Sequence, residues 1–153
     1  MLVHTNPSSS RFLSFRSKAI LLMLIVGLSA CSLPSLETPA CTESRNALRE
    51  FFSFHFGNDM KFSDESLKLR EKYLSPEFRA KIASTPAGTD PFTSGSDDLP
   101  KAFRVGECTE LSPAKTVSTV LLFWKDDTRT EQREIKVEAI DVNDSWLVNN
   151  ISR

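Results

Sequence analysis

The sequence predicts an α+β fold: N-terminal helices packed on a curved, four-stranded antiparallel sheet. Three observations carry this. Between Thr42 and Ser84 apolar residues recur at helical spacing. From Ala102 onward they alternate with a period of two. A long stretch rich in Pro, Gly, Ser, Thr and Asp separates the two regions. Helices first and strands afterwards is the order of an α+β domain. The 153 residues suffice for one domain with its own core, and 40% hydrophobic with 25% charged residues is globular composition.

Before the first helix lies a segment of different character. Met1 to Lys18 is basic and Ser-rich, Ala19 to Leu28 is apolar and uncharged, and Ser29-Ala30 are small. A basic start, a short apolar middle and a small-residue cut site make up a secretory signal. The apolar run is about half the ~20 residues that a bilayer-spanning helix needs. Residues 1–30 are therefore expected to be a cleaved signal and 31–41 a short tether with Pro34 and Pro39. The folded domain is expected over 42–153.

Charge is uneven. Arg11, Arg16 and Lys18 are the only charged residues before Cys31, which leaves 16 basic against 20 acidic side chains beyond it, a net of −4. Phosphate binding needs a clustered basic surface, so nucleic acid is not an expected partner.

The first helix is "TESRNALREFFSFHF", with Thr42 as N-cap, Glu43 in the first turn and Gly57-Asn58 as the stop. Leu48, Phe51, Phe52 and His55 share one face, which Phe54 and Phe56 widen. The second is "SDESLKLREKYL", capped by Ser63, with Leu67, Arg70 or Glu71, and Leu74 on one stripe. The third is "SPEFRAKIAS". Ser75 caps it, Pro76 sits where a missing N–H costs nothing, and Phe78 and Ile82 are i,i+4 partners. Thr85 to Lys101 is a long loop, a place where function often resides.

Four strands follow: "AFRVGECTE", "KTVSTVLLFWK", "RTEQREIKVEAIDV" and "SWLVNNIS". The short connections "LSPA", "DDT" and "ND" predict an antiparallel meander. The third strand is apolar at Ile135, Val137 and Ala139, then changes phase at Ile140 and Val142, which predicts a bulge at Ala139-Ile140. The second strand is apolar on both faces, Val117, Leu121 and Phe123 against Val120, Leu122 and Trp124, so it is central.

Two resemblances add to this. Leu28-Ser29-Ala30-Cys31 resembles the lipobox of bacterial lipoproteins. That likeness implies cleavage between Ala30 and Cys31 and diacylglycerol on the Cys31 sulfur. Two or more acyl chains make a stable anchor. Ser32, in place of an Asp, favours the outer membrane facing the periplasm. The segments "ALREFFSFHFG", "YLSPEFRAKI", "DPFTSGSDD", "FRVGEC", "VLLFWKDD" and "SWLVNNI" resemble the cone-shaped fold shared by nuclear transport factor two and ketosteroid isomerase. The likeness is to a branch of uncharacterised, often lipid-anchored domains. It implies the fold and leaves function open, because this fold hosts enzymes, carriers, immunity proteins and scaffolds.

Several residues are candidates for function. In an oxidising periplasm Cys41 and Cys108 can form a bridge that closes a long loop, for which chain entropy gives roughly 4 kcal/mol. The alternative is two separate thiols. His55 reads as a core histidine, or as a general acid or base with Asp141 as its carboxylate. Asp90, Asp97 and Asp98 read as a solvated loop, or as ligands of a hard cation. Phe92 is expected to plug the interior or touch a partner. Val120, Leu122 and Trp124 read as an outer patch for a partner, or as a face covered by the tether or the loop. No cofactor and no metal are expected.

These features make a non-enzymatic, lipid-anchored periplasmic module the leading expectation. Its partner would be an envelope protein or a small apolar ligand held by Phe51, Phe52, His55, Phe92 and the Val120-Leu122-Trp124 face. A second copy could also join through the sheet. The alternatives are an immunity or inhibitor protein against a periplasm-acting toxin or hydrolase, and a small cone enzyme using His55 and a carboxylate.

Overall fold

The computed structural model describes residues 37–153. The lipobox, with Ala30 and Cys31, and the first part of the tether, residues 32–36, lie outside them. Three α-helices pack on one face of a four-stranded antiparallel sheet, as the α+β reading predicts.

Helix α1 spans Pro39–Phe56. It begins earlier than expected: Thr38, not Thr42, is the N-cap, and its side chain accepts from Cys41 N. Pro39 sits at the start, where its fixed φ suits the first turn. Cys41 is thus inside the helix. Leu48, Phe51, Phe52 and His55 fall on its buried face. Helix α2 spans Asp64–Arg70 with Ser63 and Ser66 in a reciprocal capping box. A 3₁₀ turn, Glu71–Tyr73, replaces the expected continuation. Helix α3 spans Pro76–Ile82, capped by Ser75, with Phe78 and Ile82 buried. Among the described residues no helix is long and apolar enough to cross a membrane.

The strands are β1 (Ala102–Ser112), β2 (Lys115–Lys125), β3 (Thr130–Asp141) and β4 (Trp146–Ser152), paired in chain order. Strand β2 is central, with buried and half-buried positions alternating along it. The assignment of its faces is corrected here. Val120, Leu122 and Trp124 point inward, at most 1% exposed, and join the helices. Val117, Leu121 and Phe123 form the half-buried outer column. Register sets this phase: Val120 pairs with Ile135 and Ser118 with Val137, both inward positions of β3.

The bulge is corrected too. Strand β3 keeps unbroken register with β2 from Thr130 to Ile140. The extra residue is Asn149 of β4, since Glu138 pairs with Asn150 and Ala139 with Val148. Ile140 simply lies on the outer face opposite Leu147.

Candidate functional site

The aromatic face of α1 fills the space over the sheet. Phe51 meets Phe52, Phe92 and Tyr73 with ring centroids 5.0–5.9 Å apart, and Phe92 also meets His55 and Phe78. Phe92 is 2% exposed, so it plugs the interior from the loop side. Inside this apolar packing lies a polar group of four side chains.

His55, in the last turn of α1, meets Asp90 of the loop: Nε2 and Oδ2 are 3.0 Å apart, and both side chains are fully buried. Arg70, the last residue of α2, donates from Nε to His55 Nδ1 at 2.8 Å. A guanidinium is only a donor, so Nδ1 accepts and the ring proton lies on Nε2, which donates to Asp90. The rest of the guanidinium is satisfied by backbone: Nη1 donates to Ser66 O at 2.7 Å and Nη2 to Asp59 O at 2.8 Å. Burial pushes the Arg70 guanidinium below its ordinary range, against the pull of Asp90 and Asp59.

The loop is shaped to deliver Asp90. Its Oδ1 accepts from Phe92 N at 2.9 Å, an Asx turn, and Thr93 Oγ1 donates to Oδ2. Backbone bonds Gly95 N to Asp90 O and Asp90 N to Ser96 O close the segment on itself. Arg153 ties it to the end of β4 by donating to Thr93 O and Pro91 O. One charge of each sign is thus buried with a neutral ring between them. The group joins α1, α2 and the loop.

The predicted partner of His55 is corrected: the carboxylate is Asp90, not Asp141. Asp141 pairs with Trp146, whose Nε1 donates to Glu43 in the first turns of α1. His55 is 12 residues further along that helix, which is ~18 Å at 1.5 Å per residue. The reading of Asp90 as part of a solvated loop is also corrected, because it is fully buried. The three loop carboxylates do not converge on one cation. Asp90 faces His55, Asp97 is exposed, and Asp98 takes two bonds from Arg129 at 2.9 and 3.2 Å. The Arg129 bonds hold the Asp98 carboxyl below the usual carboxylate range, helped by charge from Arg129 and Arg133 and opposed by burial.

An imidazole with a carboxylate on one nitrogen can serve as a general base through the other. Here Arg70 occupies that second nitrogen and the ring is 0% exposed, so the lone pair is committed inside the protein. Sequence reasoning named His55 and missed its two charged partners. Arg70 left a signal, a cation on an otherwise apolar stripe.

Phe51, Phe52, Val120, Leu122 and Trp124 all belong to the same buried core. They do not form a surface. Cys41 and Cys108 are bonded, 67 positions apart in sequence and with Cα atoms 5.7 Å apart. Val105 pairs with Val120 and Cys108 with Ser118, so an extra residue in β1 keeps Cys108 on the inward phase, facing α1.

No model of a known protein family matches the chain, and no curated protein matches it. Among solved structures, the crystal structure of a protein of unknown function from Bacteroides thetaiotaomicron is similar. It is 19% identical, with a TM-score of 0.48, over 73% of this chain and 90% of that one.

Proposed function

We propose that this chain is a lipid-anchored lipoprotein of the outer membrane, facing the periplasm, and works as a non-enzymatic binding or accessory module for an envelope protein. The observation that carries this reading is the Cys41–Cys108 disulfide. A structural disulfide suits an exported domain, and this one begins ten residues after the lipobox cysteine. The three cysteines then have two coherent uses, one for lipid and two for a staple.

The packed interior narrows the partner. Side chains that were candidates for holding a small apolar ligand are filling the core instead. The reading therefore favours a protein partner, met on the outside of a cone-family domain whose interior is full. Val117, Leu121, Phe123, Ile140 and Leu147, half-buried on the outer sheet face, offer it an apolar surface.

The test is in-cell crosslinking of the tagged lipoprotein, followed by identification of what it holds. One or a few envelope proteins, recovered from the parent and lost from Cys31→Ser, support the reading. Recovery of only bulk envelope proteins contradicts it.

A further inference from the structure

We propose that the two hairpin tips carrying Leu111 and Val142 rest on the phospholipid surface to which Cys31 is tied; this rests on the lipid anchor proposed above. Three large apolar side chains are exposed among the described residues: Leu69, Leu111 and Val142. Leu111 is 56% exposed and Val142 39%, and they lie at the same end of the sheet. The β1–β2 tip, Pro113-Ala114, lies against the end of β3, where Asp141 N donates to Ala114 O at 2.9 Å. Val142 opens the next tip, closed by backbone bonds with Ser145.

This end of the sheet is also where α1 begins. Cys108, three residues before Leu111, is bonded to Cys41 in the first turn of α1. Trp146, at the foot of the second tip, donates to Glu43 in the same part of the helix. Seven steps of chain separate Cys31 from Thr38. Extended chain spans about 3.3–3.6 Å per residue, so α1 starts within about 25 Å of the acyl chains. The exposed apolar tips are therefore held at the membrane at high effective concentration, and a weak contact suffices.

The chemistry points to apolar insertion at a zwitterionic surface. Asp141 and Asp144 flank Val142, which disfavours attraction to anionic lipid. Leu69 provides the control. It is 53% exposed on α2, whose Arg70 meets His55 near the far end of α1. That is about 21 Å along the helix from Cys41.

The experiment uses the full lipidated protein in phosphatidylcholine–phosphatidylethanolamine vesicles. A polarity-sensitive fluorophore is attached in turn at Leu111→Cys, Val142→Cys and Leu69→Cys. A blue shift at 111 and 142, with quenching by nitroxide-labelled lipid and neither effect at 69, is the expected result. Water-like emission at all three positions on protein that floats with the vesicles would overturn the tip contact and leave the anchor standing. Protein that does not float overturns both.

Discussion

Arg70 Nε donates to His55 Nδ1 at 2.8 Å, and that contact fixes which nitrogen of the ring carries the proton. His55 is expected as the Nε2–H tautomer. ¹⁵N NMR of the imidazole should show Nδ1 as an unprotonated acceptor and Nε2 as a protonated donor. The reverse pattern would mean that Arg70 does not hold the ring.

Asp90 accepts from His55, Thr93 and Phe92 N and is the counter-charge to Arg70. Asp90→Ala leaves the arginine buried and uncompensated, which costs about 3–5 kcal/mol. Glu134→Ala removes a half-exposed partner of Lys136 and should cost under about 1 kcal/mol. Urea unfolding of both variants checks the contrast.

The disulfide closes a loop with a sequence separation of 67. Chain entropy gives it roughly 4 kcal/mol. Cys41→Ser with Cys108→Ser should unfold at lower urea than the parent, and reductant should move the parent's midpoint but not the variant's. If reductant leaves the parent unchanged, the bridge is not formed.

Two carboxylates give acid sensitivity. Asp98 is held below the ordinary range chiefly by Arg129. For Glu138, burial is the largest single effect and raises it, yet the bonds from Lys115 and Asn149 together bring it below the ordinary range. A folded value below the unfolded one means stability that is present above the ordinary carboxylate range and lost as pH falls through the folded value. The parent should therefore exceed Asp98→Asn and Glu138→Gln in stability at neutral pH and converge with them below about pH 4. Unfolding midpoints across pH test this.

Gly95 and Gly88 both have positive φ, +72° and +83°. A Cβ at Gly88 meets nothing within 4 Å, whereas one at Gly95 meets the Arg153 guanidinium carbon at 3.0 Å. Gly88→Ala should cost about 1 kcal/mol for left-handed backbone alone. Gly95→Ala should cost more, because it also displaces the arginine that holds Thr93 O and Pro91 O. Equal melting temperatures for the two variants would contradict the role of Arg153.

Local signals were readable and long-range ones were not. Ser63 and Ser75-Pro76 announce their helices through cap chemistry, and Phe78 and Ile82 announce the buried face. Thr38-Pro39 carries the same signature as Ser75-Pro76, but after Pro34 it reads as tether. The two apolar faces of β2 cannot be ranked by periodicity, since either satisfies it. Pairing with Ile135 and Val137 decides which one is buried. The phase change at Ile140 mimics a bulge because the outer face near the tip is itself apolar, with Ile140 opposite Leu147. His55 was legible as a buried helix residue. Its pairing with Asp90, 35 positions away, depends on how a loop folds back, and no local pattern encodes that.

The central claim is an anchored, exported, disulfide-stapled domain. Mass spectrometry of the intact protein extracted from cell membranes tests it most directly. The account predicts an N-terminus at Cys31 carrying diacylglycerol, with Cys41 bonded to Cys108. A chain that keeps residues 1–30, or one whose Cys31 is unmodified, would contradict it.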